Sequence, residues 1–178
     1  MKLMRTIRLD PSDTFVFEKA AEPGEWAVSG AFAFAQLDPA TLQGRMRAAF
    51  RSGFLGIDSL GWSTLVQIVE ASEQDRTAAV ELLARRLVEH YGAPDLATAR
   101  PAAEEEIAFA VSLSDHPKGM LAAVSRRYED GAIREAFRTL TPAAGPKPMR
   151  AYAFLEVEGE EEPAESVDLV AIGKGERR

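Results

Sequence analysis

The sequence predicts an α+β fold: a largely antiparallel sheet with about three helices packed on one face. Three observations carry that expectation. Residues 72–91 set apolar side chains at helical spacing, and residues 95–113 read as a further helix. Alternation of strand length recurs near both ends, at residues 2–9, 26–34 and 149–157. Between the helices and the last strand lies Asp130-Gly131, flanked by alternating runs, which is the chemistry of a two-residue hairpin turn. The order is strand, strand, strand, helix, strand, helix, helix, hairpin, strand, which favours antiparallel pairing over repeated crossovers.

Taken in order, Leu3, Ile7 and Leu9 begin a first strand, and Asp10-Pro11-Ser12-Asp13 forms a turn. Phe15 and Phe17 bracket a short second strand, and Glu22-Pro23-Gly24 turns the chain again. From Trp26 to Phe34, Trp26, Val28, Phe32 and Phe34 share one strand face. Ala27, Ser29, Ala31 and Ala33 share the other, a bare face that a helix or a second copy of the chain can approach closely. Asp38-Pro39 starts a helix with Leu42, Met46, Ala49 and Phe50 as its stripe and Gly53 as its end.

Gly53, Gly56 and Gly61 do not make a phosphate loop. That loop needs a strand before the glycines and a helix after them, whereas here a helix leads into a strand and the Lys-Ser/Thr ending is missing. Leu65, Val66, Ile68 and Val69 form an unbroken apolar run, as in a strand covered on both faces. Ser72 with Asp75 resembles a capping box, and Val80, Leu83, Ala84, Leu87, Val88 and Tyr91 follow at helical spacing. The next helix, Asp95 to Leu113, is expected to break or restart at Pro101, which would put Glu104, Glu105 and Glu106 in its first turn. Residues 120–140 form the hairpin, 149–157 a last long strand, and Val167 to Ile172 a short closing element.

At 178 residues the chain fits one domain, 1–178. Cysteine is absent, which removes disulfides, thiolate metal sites and a cysteine nucleophile. No apolar run reaches membrane-spanning length, and the expected location is cytoplasmic. Of the net charge of −7, seven acids fall between Arg150 and Lys174, where no Lys or Arg stands. The remaining 21 acids balance the 21 basic residues. No polybasic footprint for nucleic acid or anionic lipid results. The acidic segment near 158–166 is expected to be flexible, because adjacent glutamates repel and bury nothing.

The stretches RTIRLDPSDTFVFEKAAEPGEWAVSGAFAF, FRSGFLGIDSLGWSTLVQ and DGAIREAFRTL resemble an uncharacterised bacterial family of unknown function. The likeness runs over nearly the whole chain. It implies no activity, cofactor or catalytic residue.

Chemistry-bearing residues are sparse. His90 closes a helix, where a partly charged imidazole suits the dipole. His116 stands beside Asp115, which could orient it as a general base, with Ser114 and Ser125 as hydroxyls in the same region. No metal-ligand spacing occurs, and no cofactor is expected. Trp26, Phe32, Phe34, Trp62, Phe137 and Phe154 read as sheet core more than as an aromatic pocket.

The hairpin is more informative. A two-residue turn sets Tyr128 opposite Ile133, Arg126 opposite Glu135 and Val124 opposite Phe137 on a mostly apolar face. The other face then opposes Arg127 to Arg134, with Arg138 further along, a set that an anion or an acidic partner would relieve. The expected function is a non-catalytic binding or assembly protein, with a protein partner or a second copy as its ligand. The alternative is a small enzyme or ligand binder with a pocket between helices and sheet.

Overall fold

The computed structural model describes residues 1–142 together with two short strands, 155–157 and 167–168. The fold is α+β. Its one sheet runs in the order β4-β3-β2-β1-β5-β6-β7-β8, with β9 also on β7, and every strand pair is antiparallel. The strands are β1 Lys2–Ile7, β2 Trp26–Val28, β3 Phe54–Gly56, β4 Trp62–Ser63, β5 Leu65–Glu70, β6 Leu121–Glu129, β7 Ala132–Pro142, β8 Leu155–Val157 and β9 Val167–Asp168. The helices are α1 Asp13–Val16, α2 Gly44–Ser52, α3 Glu73–His90 and α4 Leu96–Leu113. Helices α3 and α4 pack on each other, α4 lies against β1 and β2, and α2 lies against β6.

Local signals carried several elements. Ser72 Oγ accepts from Asp75 N–H while the Asp75 carboxylate accepts from Ser72 N–H, so α3 starts at a complete capping box. Val80, Leu83, Ala84 and Leu87 are buried along its inner face. Asp130 and Gly131 both take positive φ, 52° and 78°, the turn that matches strand twist.

Elsewhere the structure departs from the expectation, and each departure has a tertiary cause. Residues 13–16 are one helical turn rather than a strand. The buried Asp13 carboxylate accepts from Thr64 N–H and Thr64 Oγ1, which ties that turn to the start of β5 and sends Phe17 inward. The expected strand 26–34 ends at Val28. Gly30 turns left-handed at φ 84° and a 3-10 turn occupies Ala31–Phe34, so the alanine-bearing strand face does not exist. The helix expected from Asp38 is a 3-10 turn at Pro39–Thr41, capped by Asp38, followed by the separate α2. In β5, Val66 and Ile68 are buried while Leu65, Gln67 and Val69 are half-buried, so its two faces are covered unequally.

Helix α4 runs through Pro101 without a break, which puts Glu104, Glu105 and Glu106 in its middle. A proline there removes one intrahelical hydrogen bond. Ala99, Ala103, Ile107 and Ala110, buried from end to end of the helix, offset that loss. Ion pairs Arg100–Glu81 at 2.6 Å and Arg76–Glu104 at 2.9 Å bind α4 to α3 on both sides of the proline. The segment 158–166 and most of the expected strand 149–157 lie outside the described residues, as does Phe154.

Asp95 caps α4, and acceptance of a hydrogen bond from Thr98 N–H holds its carboxyl below the usual range. A depressed folded pKa contributes stability that is present above the unfolded value near 3.8 and is lost as pH falls through the lower folded value. Asp95→Asn keeps a capping oxygen without the charge. It is expected to remove this share of the acid sensitivity, read as a smaller drop in melting temperature between pH 5 and pH 3, roughly the window in which carboxylates titrate.

Candidate functional site

The hairpin β6–β7 holds Arg126 and Glu135, an ion pair whose two side chains are both wholly buried. Its observed register pairs Val124 with Phe137, Arg126 with Glu135, Arg127 with Arg134 and Tyr128 with Ile133. Its two faces have opposite fates.

On the inner face, Arg126 and Glu135 are wholly buried, with Arg126 Nε 2.5 Å from Glu135 Oε2. Ser29 Oγ donates to the same carboxylate oxygen at 2.6 Å. Arg126 Nη1 donates to the carbonyls of Phe50 at 2.9 Å and Ala49 at 3.3 Å, at the end of α2. Arg126 Nη2 donates to the Ser29 carbonyl. One guanidinium therefore closes the C-terminus of α2, holds the chain where it leaves β2 and neutralises a carboxylate. Among the described residues Glu135 Oε1 has no hydrogen-bond partner. The cluster is sealed from solvent, and its chemistry is structural. The expected salt pair near the turn gave no sign of this role, since its partners at 29, 49 and 50 are remote in sequence. The available signal was an Arg and a Glu at adjacent apolar positions of one alternation.

On the outer face, Arg127 and Arg138 are exposed and Arg134 is half-buried. Arg127 Nε donates to Glu129 at 3.3 Å. Among the described residues Arg134 Nε is buried without a hydrogen-bond partner and Arg138 has no partner. By register, Ala123 stands across from Arg138 and Ser125 across from Ala136. These small residues leave nothing tall between the guanidinium groups. The far edge of β7 carries two more strands. Leu140 pairs with Val157 of β8, and Arg134 pairs with Asp168 of β9.

The loop 115–118 precedes β6. Asp115 is exposed and His116 half-buried, and no hydrogen bond joins the two side chains. The His116 carbonyl accepts from Lys2 Nζ at 2.6 Å. Ser114 is buried, its hydroxyl given to the Ala110 carbonyl at 2.7 Å, while Ser125 is exposed on the arginine face. Of the aromatics, Phe34 stacks on Trp62 and meets Phe50 edge-on, and Phe137 lies between Phe54 and Phe109. They are core. Phe15, at the tip of α1, is 72% exposed. Among the described residues no group of three or more His, Asp or Glu could hold a metal ion, and no helix is long and apolar enough to cross a membrane.

Residues 1–153 match a family of unknown function, DUF6505. No curated protein and no solved structure matches the chain.

Proposed function

The chain belongs to that family, and from this premise we propose that it is a non-catalytic binding or assembly protein whose outer hairpin face takes a carboxylate-bearing protein segment. The observation that carries the reading is the opposition of Arg127 and Arg134 across the longest strand pair, with Arg138 two positions along β7 from Ala136. Like charges directly opposed across strands are unfavourable unless something relieves them. A row of carboxylates does so with charge-assisted, bidentate hydrogen bonds, for which guanidinium forks are well shaped. The floor of alanine and serine admits an extended segment. The state of the other polar groups agrees with this reading: the buried Ser114, Ser29, Asp13 and Glu135 are all engaged in holding the fold.

The test is titration of the full chain with a polyglutamate peptide at low salt, followed by anisotropy. Wild type is expected to bind, and Arg127→Glu with Arg138→Glu to bind at least about fivefold more weakly, since each exposed pair is worth up to roughly 1 kcal/mol. Both side chains are exposed, so the variant should fold normally. Equal binding by the two proteins, or preference for a single-stranded oligonucleotide over the peptide, would overturn the reading.

A further inference from the structure

We infer that α1 and α2 together form a docking surface for an acidic amphipathic segment of a partner protein, in which Phe15 anchors the apolar side chains of that segment and Arg45, Arg47 and Arg51 meet its carboxylates. This goes beyond the proposed function and does not rest on it. Helix α2 meets β6 on the inner side of the hairpin, where Arg126 donates to the carbonyls of Ala49 and Phe50. The surface is therefore distinct from the face that carries Arg127, Arg134 and Arg138.

The first observation is an apolar side chain held out in water. Phe15 is 72% exposed, more than any other large hydrophobic side chain among the described residues, and Leu9 and Val16 are exposed as well. This is not the exposure of a loose loop. Phe15 N–H donates to the Ser12 carbonyl at 2.9 Å, and Phe17 N–H donates to the Asp13 carbonyl at 3.1 Å. The Asp13 carboxylate is fixed by Thr64, and Phe17 is buried in the core. A single helical turn clamped at both ends thus presents Phe15 in one place. A rigid aromatic gains contact area on binding and loses little conformational freedom, which is the property of an interface anchor.

The second observation is unpaired charge. Helix α2 holds three arginines and no acid, and all three arginines are exposed. Among the described residues none of them makes an ion pair or a side-chain hydrogen bond. Arg47 and Arg51 lie four apart on one helix face, where like charges repel. Arg45 stands in the first turn, where the helix dipole disfavours a cation. Arg51 is in the last turn, but the carbonyls there already accept from Arg126. These side chains hold no part of the described fold together, and carboxylates from outside would relieve them.

The third is proximity and size. Helix α1 packs against α2. They have four and nine residues, so they run for about 6 Å and about 13 Å. A partner helix of about twelve residues, roughly 18 Å long, reaches Phe15 and the arginines at once. The rest of the molecule selects such a segment over an extended polyanion. With a net charge of −7 the chain repels a nucleic acid or an anionic membrane beyond the patch, whereas a short segment meets only the arginines.

The experiment is fluorescence anisotropy of the full chain with a labelled peptide of about twelve residues repeating Glu-Glu-Leu-Phe, which is amphipathic as a helix, against polyglutamate of equal charge. Arg127→Glu with Arg138→Glu is the background, so that the hairpin face contributes nothing. There the amphipathic peptide is expected to bind at least about tenfold more tightly than polyglutamate, a typical gain from one buried aromatic anchor. Phe15→Ala should abolish that difference at an unchanged melting temperature, since the side chain is exposed. Arg45→Gln, Arg47→Gln and Arg51→Gln together should weaken binding by about fivefold or more, and lysine at the same three positions should keep most of it.

Unchanged binding by Phe15→Ala overturns the inference, as does tighter binding to a single-stranded oligonucleotide or to phosphatidylserine vesicles than to the peptide. Light scattering that shows wild type as a dimer and Phe15→Ala as a monomer also overturns it, because the patch would then join two copies of the chain. If the amphipathic peptide binds through Phe15 while no form of the chain binds polyglutamate, this surface stands and the hairpin reading fails. If wild type binds polyglutamate through the hairpin and Phe15→Ala changes nothing, the hairpin reading stands and this surface fails.

Discussion

Arg126→Ala is expected to lower folding stability by about 3–5 kcal/mol, the usual loss when one member of a buried ion pair is removed. Typical domains are stable by only about 5–15 kcal/mol, so the variant should lose a large fraction of its stability. The cause is not the lost pair alone. Glu135 would remain wholly buried with only Ser29 Oγ to face it, and the carbonyls of Ala49 and Phe50 would lose the donor that closes α2. Urea unfolding, with the midpoint and slope both measured, checks this. The double variant Arg126→Met with Glu135→Leu distinguishes charge from packing. It should recover much of the loss, because a buried pair replaced whole by apolar groups is often neutral. An unchanged midpoint in Arg126→Ala would mean that the guanidinium reaches water in solution.

Gly30→Ala is expected to cost about 2–4 kcal/mol, through two effects that add. The residue sits at φ 84° and ψ 6°, where a Cβ is itself unfavourable. That Cβ would stand 2.6 Å from Leu55 Cβ and 2.9 Å from Trp62 Cζ3. Leu55 Cβ is fixed to the backbone of β3, and Trp62 stacks on Phe34, so neither can yield cheaply. Gly24→Ala is the control. Its φ is 89° but nothing lies within 4 Å of the added methyl, so only the dihedral part, about 1 kcal/mol, should be lost. Equal melting temperatures for the two variants would show that the close approach of β3 to Gly30 relaxes at little cost.

The candidate site was half legible in the sequence. Asp130-Gly131 determined the hairpin turn, and with it the register that opposes Arg127 to Arg134 and seats Arg126 across from Glu135. That inference worked because a two-residue turn leaves one register and pleat alternation then assigns every face. The burial of Arg126 was not legible. It depends on Ser29 and Phe50, 97 and 76 residues away in the chain, arriving at one guanidinium.

The same division runs through the fold. Elements whose cause lies within a few residues were legible in the chain: the capping box of α3, its apolar stripe, and the hairpin. Tertiary structure decided the rest. It ended β2 at Val28, because Gly30 must clear Leu55 and Trp62. It made a helical turn of residues 13–16 around the contact of Asp13 with Thr64, and it carried α4 through Pro101 on the packing of its alanine face. Hydrogen bonds and propensities local to the chain are worth about 1 kcal/mol each. Burial of a large side chain or a buried charge is worth several times that, and its partners come from distant segments. Where the two disagreed, burial prevailed.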